Sequence, residues 1–369
     1  MAGEAVKSLS RAISPPLSST IREVLMASTT FSSAERAAQD RRTRRKEAKR
    51  NAWAYVFVSP FYFLYAVFGL FPLLYGIWLS FHQWDGISPM QWVGAANYIK
   101  LFTVDETWWK AIYNTLWLFF GATTPQLAFA LILAFIINSG YVRFKDFFRA
   151  AYFMPFVASA VAVGILFTSL FGMQYGMFNY ALSAIGITPM LSSGDKCVSW
   201  AIETNSLGCA IDWLGSALWL KPSIALVVLW QWTGYSMIIF LAGLQSINPE
   251  LYEAARVDGA NTTDIFLRIT MPLMQGVILF QVVTSIIGAM QNFDIPVMLA
   301  GGTQSSAPGG TDQAGLTAMM QLYWSAFKYN TGSKSGFGYA SAMSFVLFFM
   351  IVIFSYTYNR FNGQNQTEN

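Results

Sequence analysis

The chain has 369 residues, 54% of them hydrophobic and 11% charged, with a formal net charge of +4. Soluble domains carry about 25% charged residues, so this composition excludes a water-coated globule and turns most of the surface towards lipid. Nor does the positive balance point to nucleic acid: eight of the 23 Lys and Arg lie between Arg36 and Arg50, just before the first apolar stretch, where a basic run acts as a topology signal.

Residues 1–50 are rich in Ser, Ala and Arg, contain Pro15-Pro16, and read as a basic cytoplasmic tail, largely disordered, with short helix near Glu35–Lys49. The apolar stretch that begins near Trp53 is too long for a signal-peptide core and lacks a small-residue cleavage site. Spanning the hydrocarbon takes roughly 20 mostly apolar residues, and six stretches qualify. They are Trp53–Leu79, Ile112–Ile137, Ala151–Phe171, Ser223–Leu244, Leu273–Leu299 and Tyr339–Tyr358. The expected class is an all-α polytopic membrane protein of about six transmembrane helices. Pro60, Pro72, Pro125, Pro155 and Pro296 lie in or near them, where neighbouring helices can satisfy the freed backbone groups.

With the tail inside, the cytoplasmic segments (tail, 138–150, 245–272 and C-terminus) carry 17 Lys and Arg. The outside loops hold only Lys100, Lys110, Lys196, Lys221, Lys328 and Lys334. That asymmetry puts both termini in the cytoplasm. Loops 80–111, 172–222 and 300–338 are then external, edged by Trp84, Trp92, Trp108, Trp109, Trp219, Tyr323 and Trp324 as an interfacial belt. Cys197 and Cys209 both fall in the second external loop and are a disulfide candidate; two unpaired thiols are the alternative.

The third inside loop, residues 248–272, carries the most information. Asn248 fits an N-cap and Pro249 a first helical position, while Glu250 and Glu253 suit the positive end of the helix dipole. Leu251, Ala254 and Ala255 can make a small apolar face. Gly259 ends this helix, and Asn261 with Asp264 begins another. The expectation is a short helix-turn-helix outside the membrane, offered to another protein.

Here Glu253-Ala254-Ala255, then Gly259 after three residues, Ile269 after nine more, and Met271-Pro272 together resemble the EAA loop of ABC importer permeases, with Met in place of the usual Leu. The resemblance covers about residues 53–358 and narrows to the maltose-type (carbohydrate uptake) permeases, the binding-protein-dependent transport inner-membrane component family. It is carried by Ser59-Pro60, by 71–81 (FPLLYGIWLSF), by Trp92 to Tyr98, by 109–115 with Asn114-Thr115, by the Phe-Met-Pro155 entry to the third stretch, and by Gln291-Asn292-Phe293-Asp294. Thr303 stands where the family's proline follows paired glycines.

The resemblance implies a permease domain over 51–360, flanked by the tail at 1–50 and a cytoplasmic C-terminal tail at 361–369, in a bacterial inner membrane. It implies ABC ATPase subunits docked under the loop, a second permease in a heterodimeric pair, and an extracytoplasmic sugar-binding protein. Glu253, Ala254, Ala255, Asp258, Gly259, Ile269 and Pro272 would form the ATPase-coupling element, Glu253 meeting a basic residue and Gly259 permitting the turn. A di- or oligosaccharide would pass by alternating access.

Polar groups in a span face a cavity or a partner helix. On that ground Gln231, Tyr235 and Ser236 in the fourth stretch and Ser285, Gln291 and Asn292 in the fifth are candidates for the sugar path, and hydrogen bonding between helices is the other reading of each. The family places asparagines near Asn292, which with Gln291 comes first; in heterodimers the site can belong to the partner. The chain reads as a non-enzyme without a cofactor. No Gly-x-x-x-x-Gly-Lys-Ser/Thr run occurs, and a single histidine, His82, with two loop cysteines makes no metal or nucleophile set. A permease for glycerol-phosphate-like substrates is the alternative, disfavoured because the six stretches contain no Lys or Arg. A secondary transporter, which would show related halves, ranks lower.

Overall fold

The computed structural model describes residues 55–139, 142–173, 175–185, 202–205, 208–301, 308–327 and 336–363. It divides within its first helix into two compact units, residues 1–74 and 75–369. That helix, α1 (Tyr55–Ser80), is apolar along its length, and residues 55–74 are exposed on every side.

In the second unit a two-stranded ribbon, β1 (His82–Gln83) against β2 (Gln91–Trp92), pairs His82 with Trp92. At its tip Asp85 accepts from the Ser88 hydroxyl and from the Ile87 and Ser88 backbone N–H groups, which holds its carboxyl at about 2. His82 is buried against Trp78, their ring centroids 4.0 Å apart. A short α2 (Ala96–Thr103) is tied back by Asn97, whose amide donates to the Ser80 and His82 carbonyls.

Next comes α3 (Glu106–Asn138). It starts a turn and a half before the expected Ile112 because the Asp105 carboxylate caps it, accepting from the Trp108 N–H at 2.9 Å. A single π turn at Phe119–Thr123 sits just ahead of Pro125. The third stretch was expected as one helix and is two, α4 (Lys145–Val157) and α5 (Ala160–Leu170), bent by 95°. Ala158 and Ser159 are extended there, just after Pro155, whose missing N–H weakens the preceding turn. Beyond it lie α6 (Met177–Ala184) and a hairpin of β3 (Ile202–Asn205) with β4 (Gly208–Ile211). Cys209 is in β4; Cys197 falls outside the described residues, and the disulfide expectation with it.

The centre is α7 (Ala217–Gln245), begun by Ser216, whose hydroxyl accepts from Leu218 N–H. It packs against α3, α4 and α10 (Gln275–Met290). Lipid tails are as apolar as the side chains, so close backbone approach drives such contacts. A Cβ on Gly234 would lie 1.8 Å from the Tyr152 carbonyl oxygen of α4. Along α7 one cluster gathers Leu220, Ile224 and Val227 with Phe167 of α5 and Ile295 of α11 (Asp294–Leu299). A second, further along, gathers Met237, Phe240 and Leu244 with Leu127 and Leu131 of α3.

Residues 291–293 interrupt the fifth stretch between α10 and α11, although Gln275–Leu299 still runs as one candidate span. Two more helices follow, α12 (Ala318–Phe327) and α13 (Phe337–Gly363). The approach to α12 is pinned to α3: Asn114 donates to the Gln313 and Leu316 carbonyls, and the Thr115 hydroxyl accepts from Ala318 N–H. Tyr339 donates to Asp105 at 2.6 Å. Five helices are long and apolar enough to cross a membrane, six when α4 and α5 count as one bent span, among the described residues.

Candidate functional site

Two arrangements stand out, one at the helix breaks and one at the end of α7. The α4–α5 break and the α10–α11 break both adjoin one apolar cluster: Ala160 opens α5 against it and Phe293 lies against it from the second break. Beside the first break, Phe156 stacks on Tyr235 with centroids 4.8 Å apart and meets Trp232 edge-on at 5.2 Å. Gln231, one turn before Tyr235 on the same face of α7, is 6% exposed, and no side-chain hydrogen bond joins it to other described residues. Ala158 and Ser159 are exposed, and Ser159 gives no side-chain cap to the open end of α5.

At the second break Gln291 is exposed and Asn292 half-buried. The Asn292 carbonyl accepts from the Thr317 hydroxyl at 2.9 Å, which fixes the backbone of this turn against the approach to α12. The Asn292 amide makes no hydrogen bond to other described residues. Ser285 is half-buried further back on α10. These groups are neutral amides, hydroxyls and rings: they can bond hydroxyl groups and stack on apolar ring faces, and they offer no charge to an anion.

Ser236 is differently placed. One residue past Tyr235, it is turned about 100° around the helix, and its hydroxyl meets the Gln126 amide of α3 and the Gln281 amide of α10, each at 2.8 Å. Gln126 donates also to the Trp232 carbonyl at 3.0 Å. Three helices thus share one buried polar knot. Sequence reasoning missed Gln126 and Gln281; the signal that could have found them is an amide placed midway along an apolar stretch, away from the amides nearer its ends (Asn114 in one, Gln275, Gln291 and Asn292 in the other). Ser236→Ala is expected to lower stability by about 0.6 kcal/mol, the usual size of such a bond in a membrane, and to leave the transport KM unmoved. Thermal unfolding in detergent and uptake kinetics measure both; a raised KM would put Ser236 on the substrate path instead.

Beyond α7, Asn248 caps α8 (Pro249–Val257), its side-chain oxygen accepting from Glu250 N–H at 3.1 Å. The helix ends in a Schellman turn: Ala260 N–H bonds the Ala255 carbonyl, Gly259 N–H bonds the Arg256 carbonyl, and Gly259 has φ +81°. Asn261 then caps α9 (residues 262–273), accepting from Asp264 N–H at 2.8 Å. Arg268 pairs with Asp264 on the surface at 3.4 Å. Of the expected apolar face, Leu251 and Ala254 point outward and only Ala255 does not. Ala255 is buried and Tyr252 half-buried, the Tyr252 hydroxyl 3.4 Å from that of Thr270, whereas Leu251, Glu253 and Ala254 face outward. The 100° step per residue puts 252 and 255 on one face and 251 and 254 on the next. Asp258 is exposed, Ile269 half-buried. Pro272 lines a cavity of about 340 Å³ with Leu267, Met271, Gln275, Ile278 and Tyr358.

Residues 108–362 match the family described as binding-protein-dependent transport system inner membrane component. The lactose transport system permease protein LacF of Rhizobium radiobacter is 34% identical over 85% of this chain and 96% of its own. The arabinooligosaccharides transport system permease protein AraP of Bacillus subtilis is 31% identical over 86% and 91%. Among solved structures, a bacterial ABC transporter involved in import of the acidic polysaccharide alginate superposes with a TM-score of 0.69 at 22% identity, over 87% of this chain and 99% of that one; it shares the fold.

Proposed function

We propose, from the premise that this chain belongs to the binding-protein-dependent transport system inner membrane component family, that it is the sugar-conducting permease subunit of an ABC importer. Its substrate is a neutral di- or oligosaccharide. The lactose and arabino-oligosaccharide permeases among its relatives support that class, as do the uncharged amides and rings at the two breaks.

The observation that carries the reading is the doubly capped α8–α9 turn. Capped at both ends and closed by Gly259, it is a stiff projection whose outward Leu251, Glu253 and Ala254 enter a groove on an ATPase subunit. ATP hydrolysis belongs to that subunit, and its closure pushes α8 and rocks the helices of this chain. Exposed non-helical backbone at bilayer depth, as at Ala158 and Ser159, is tolerated only against protein or a water-filled cavity, so this break faces the path or a second permease. Residues 51–360 form the permease domain, both termini lie in the cytoplasm, an external binding protein delivers the sugar, and Cys197 pairs with Cys209.

Purification of the chain from its native membrane in mild detergent tests this. An ATPase subunit and a second permease are expected to come with it; a chain that purifies alone would reopen the secondary-transporter reading. Within the importer, Asn292→Ala removes an amide from the path at a cost of about 1 kcal/mol, roughly a fivefold rise in the transport KM, with ATPase association intact. Unchanged KM and rate would exclude Asn292 from the path.

A further inference from the structure

One lysine lies near the start of α3 and another near the start of α7. Lys110 lies in the second turn of α3 and Lys221 in the second turn of α7. The Lys221 Nζ stands 5.0 Å over the centre of the Tyr113 ring, and the Lys110 charge is near enough to act on it. Neither has an acidic partner: the ion pairs among the described residues are Arg149–Asp146 and Arg268–Asp264. Glu106, one turn before Lys110, forms none. Both helices also start at this level, so their positive dipole ends add to the field. Like charges gathered beside a low-dielectric layer are costly until a negative group joins them.

The surroundings decide which negative group. Trp109, Tyr113 and Phe120 follow one face of α3 and are 43%, 61% and 65% exposed. A face this apolar looks to lipid, and Trp and Tyr at the end of a span mark headgroup depth. Among the described residues no hydrogen bond or ring contact joins either lysine to Phe156, Tyr235, Gln291 or Asn292 of the proposed sugar path at the two breaks.

We propose that Lys110 and Lys221 form a binding site for the phosphate of an anionic phospholipid, whose acyl chains lie along the Tyr113–Phe120 face of α3. The phosphate bridges the two ammonium groups and relieves their repulsion. The lipid would then join α3 to α7 at one end of the bundle.

Native mass spectrometry of the full-length chain, with the subunits that accompany it, tests the site with phosphatidylglycerol, phosphatidylcholine and inorganic phosphate as probes. Two lysines at a lipid surface are expected to favour phosphatidylglycerol over phosphatidylcholine by about 30-fold. Lys110→Gln with Lys221→Gln should abolish that preference, and Arg at both positions should keep it. Lys110→Gln alone, at an exposed residue, is expected to lower it about fivefold. Equal retention of the two lipids by the unaltered chain, or undiminished preference in the Gln variants, overturns the site. Inorganic phosphate that displaces phosphatidylglycerol and stays bound would mark a soluble-anion site and overturn the lipid assignment.

Discussion

Replacing Gly259 by Val is expected to abolish uptake while the chain still reaches the membrane and keeps its thermal stability. The reason is local. Gly259 sits at φ +81°, and a Cβ built there meets nothing within 4 Å, so the side chain has room and only the backbone objects. For a residue other than Gly that conformation costs about 1–2 kcal/mol, and a β-branched residue fits it worst. The cheapest escape is to open the Schellman turn, which frees the Ala255 and Arg256 carbonyls and lets α8 swing from α9. Gly259→Asn, which tolerates the left-handed region, should keep most of the uptake. Equal uptake by both variants would remove the turn from the coupling mechanism.

Gly234→Ala should cost more stability than any other single methyl added to α7. The added carbon would sit 1.8 Å from the Tyr152 carbonyl oxygen and 2.5 Å from its carbon. Both are backbone, so no rotamer change relieves the clash and α4 must move off α7. Overpacking of this kind typically costs 1–3 kcal/mol, roughly what a membrane bundle draws from several interhelical contacts. Because α4 carries the Phe156 ring against Tyr235, uptake falls with stability. Gly288→Ala is the control: nothing lies within 4 Å of its Cβ, and Ala is the better helix former, so that variant should be as stable as the parent or more so. A thermal-unfolding series in which the two variants match would show that α4 and α7 do not pack as described.

Much of this was readable before any coordinates. Hydropathy located the membrane helices because each apolar stretch is a local property of about 20 residues. The 248–273 turn was legible in detail, with Asn248, Pro249, Gly259 and Asn261 all in their expected places, because capping depends on neighbours within four residues. On α8, Leu251 and Ala254 face outward as expected and only Ala255 is buried, on the side from which Tyr252 reaches Thr270, a contact that lies outside α8 itself.

What the sequence determined by itself was the membrane class, the spans and the capped turn, each encoded in residues adjacent along the chain. Only the tertiary structure decided where the third and fifth stretches break and that Ser236 is engaged by Gln126 and Gln281. It alone showed that Gly234 admits no side chain, and that Lys221 of α7 lies over the Tyr113 ring of α3. These outcomes hang on groups as far apart in sequence as 110 residues. Inside a membrane, where the lipid-facing and helix-facing residues of a span are mostly alike in being apolar, hydropathy does not distinguish the side chain that faces lipid from the one that faces a helix; interhelical packing and hydrogen bonding decide that.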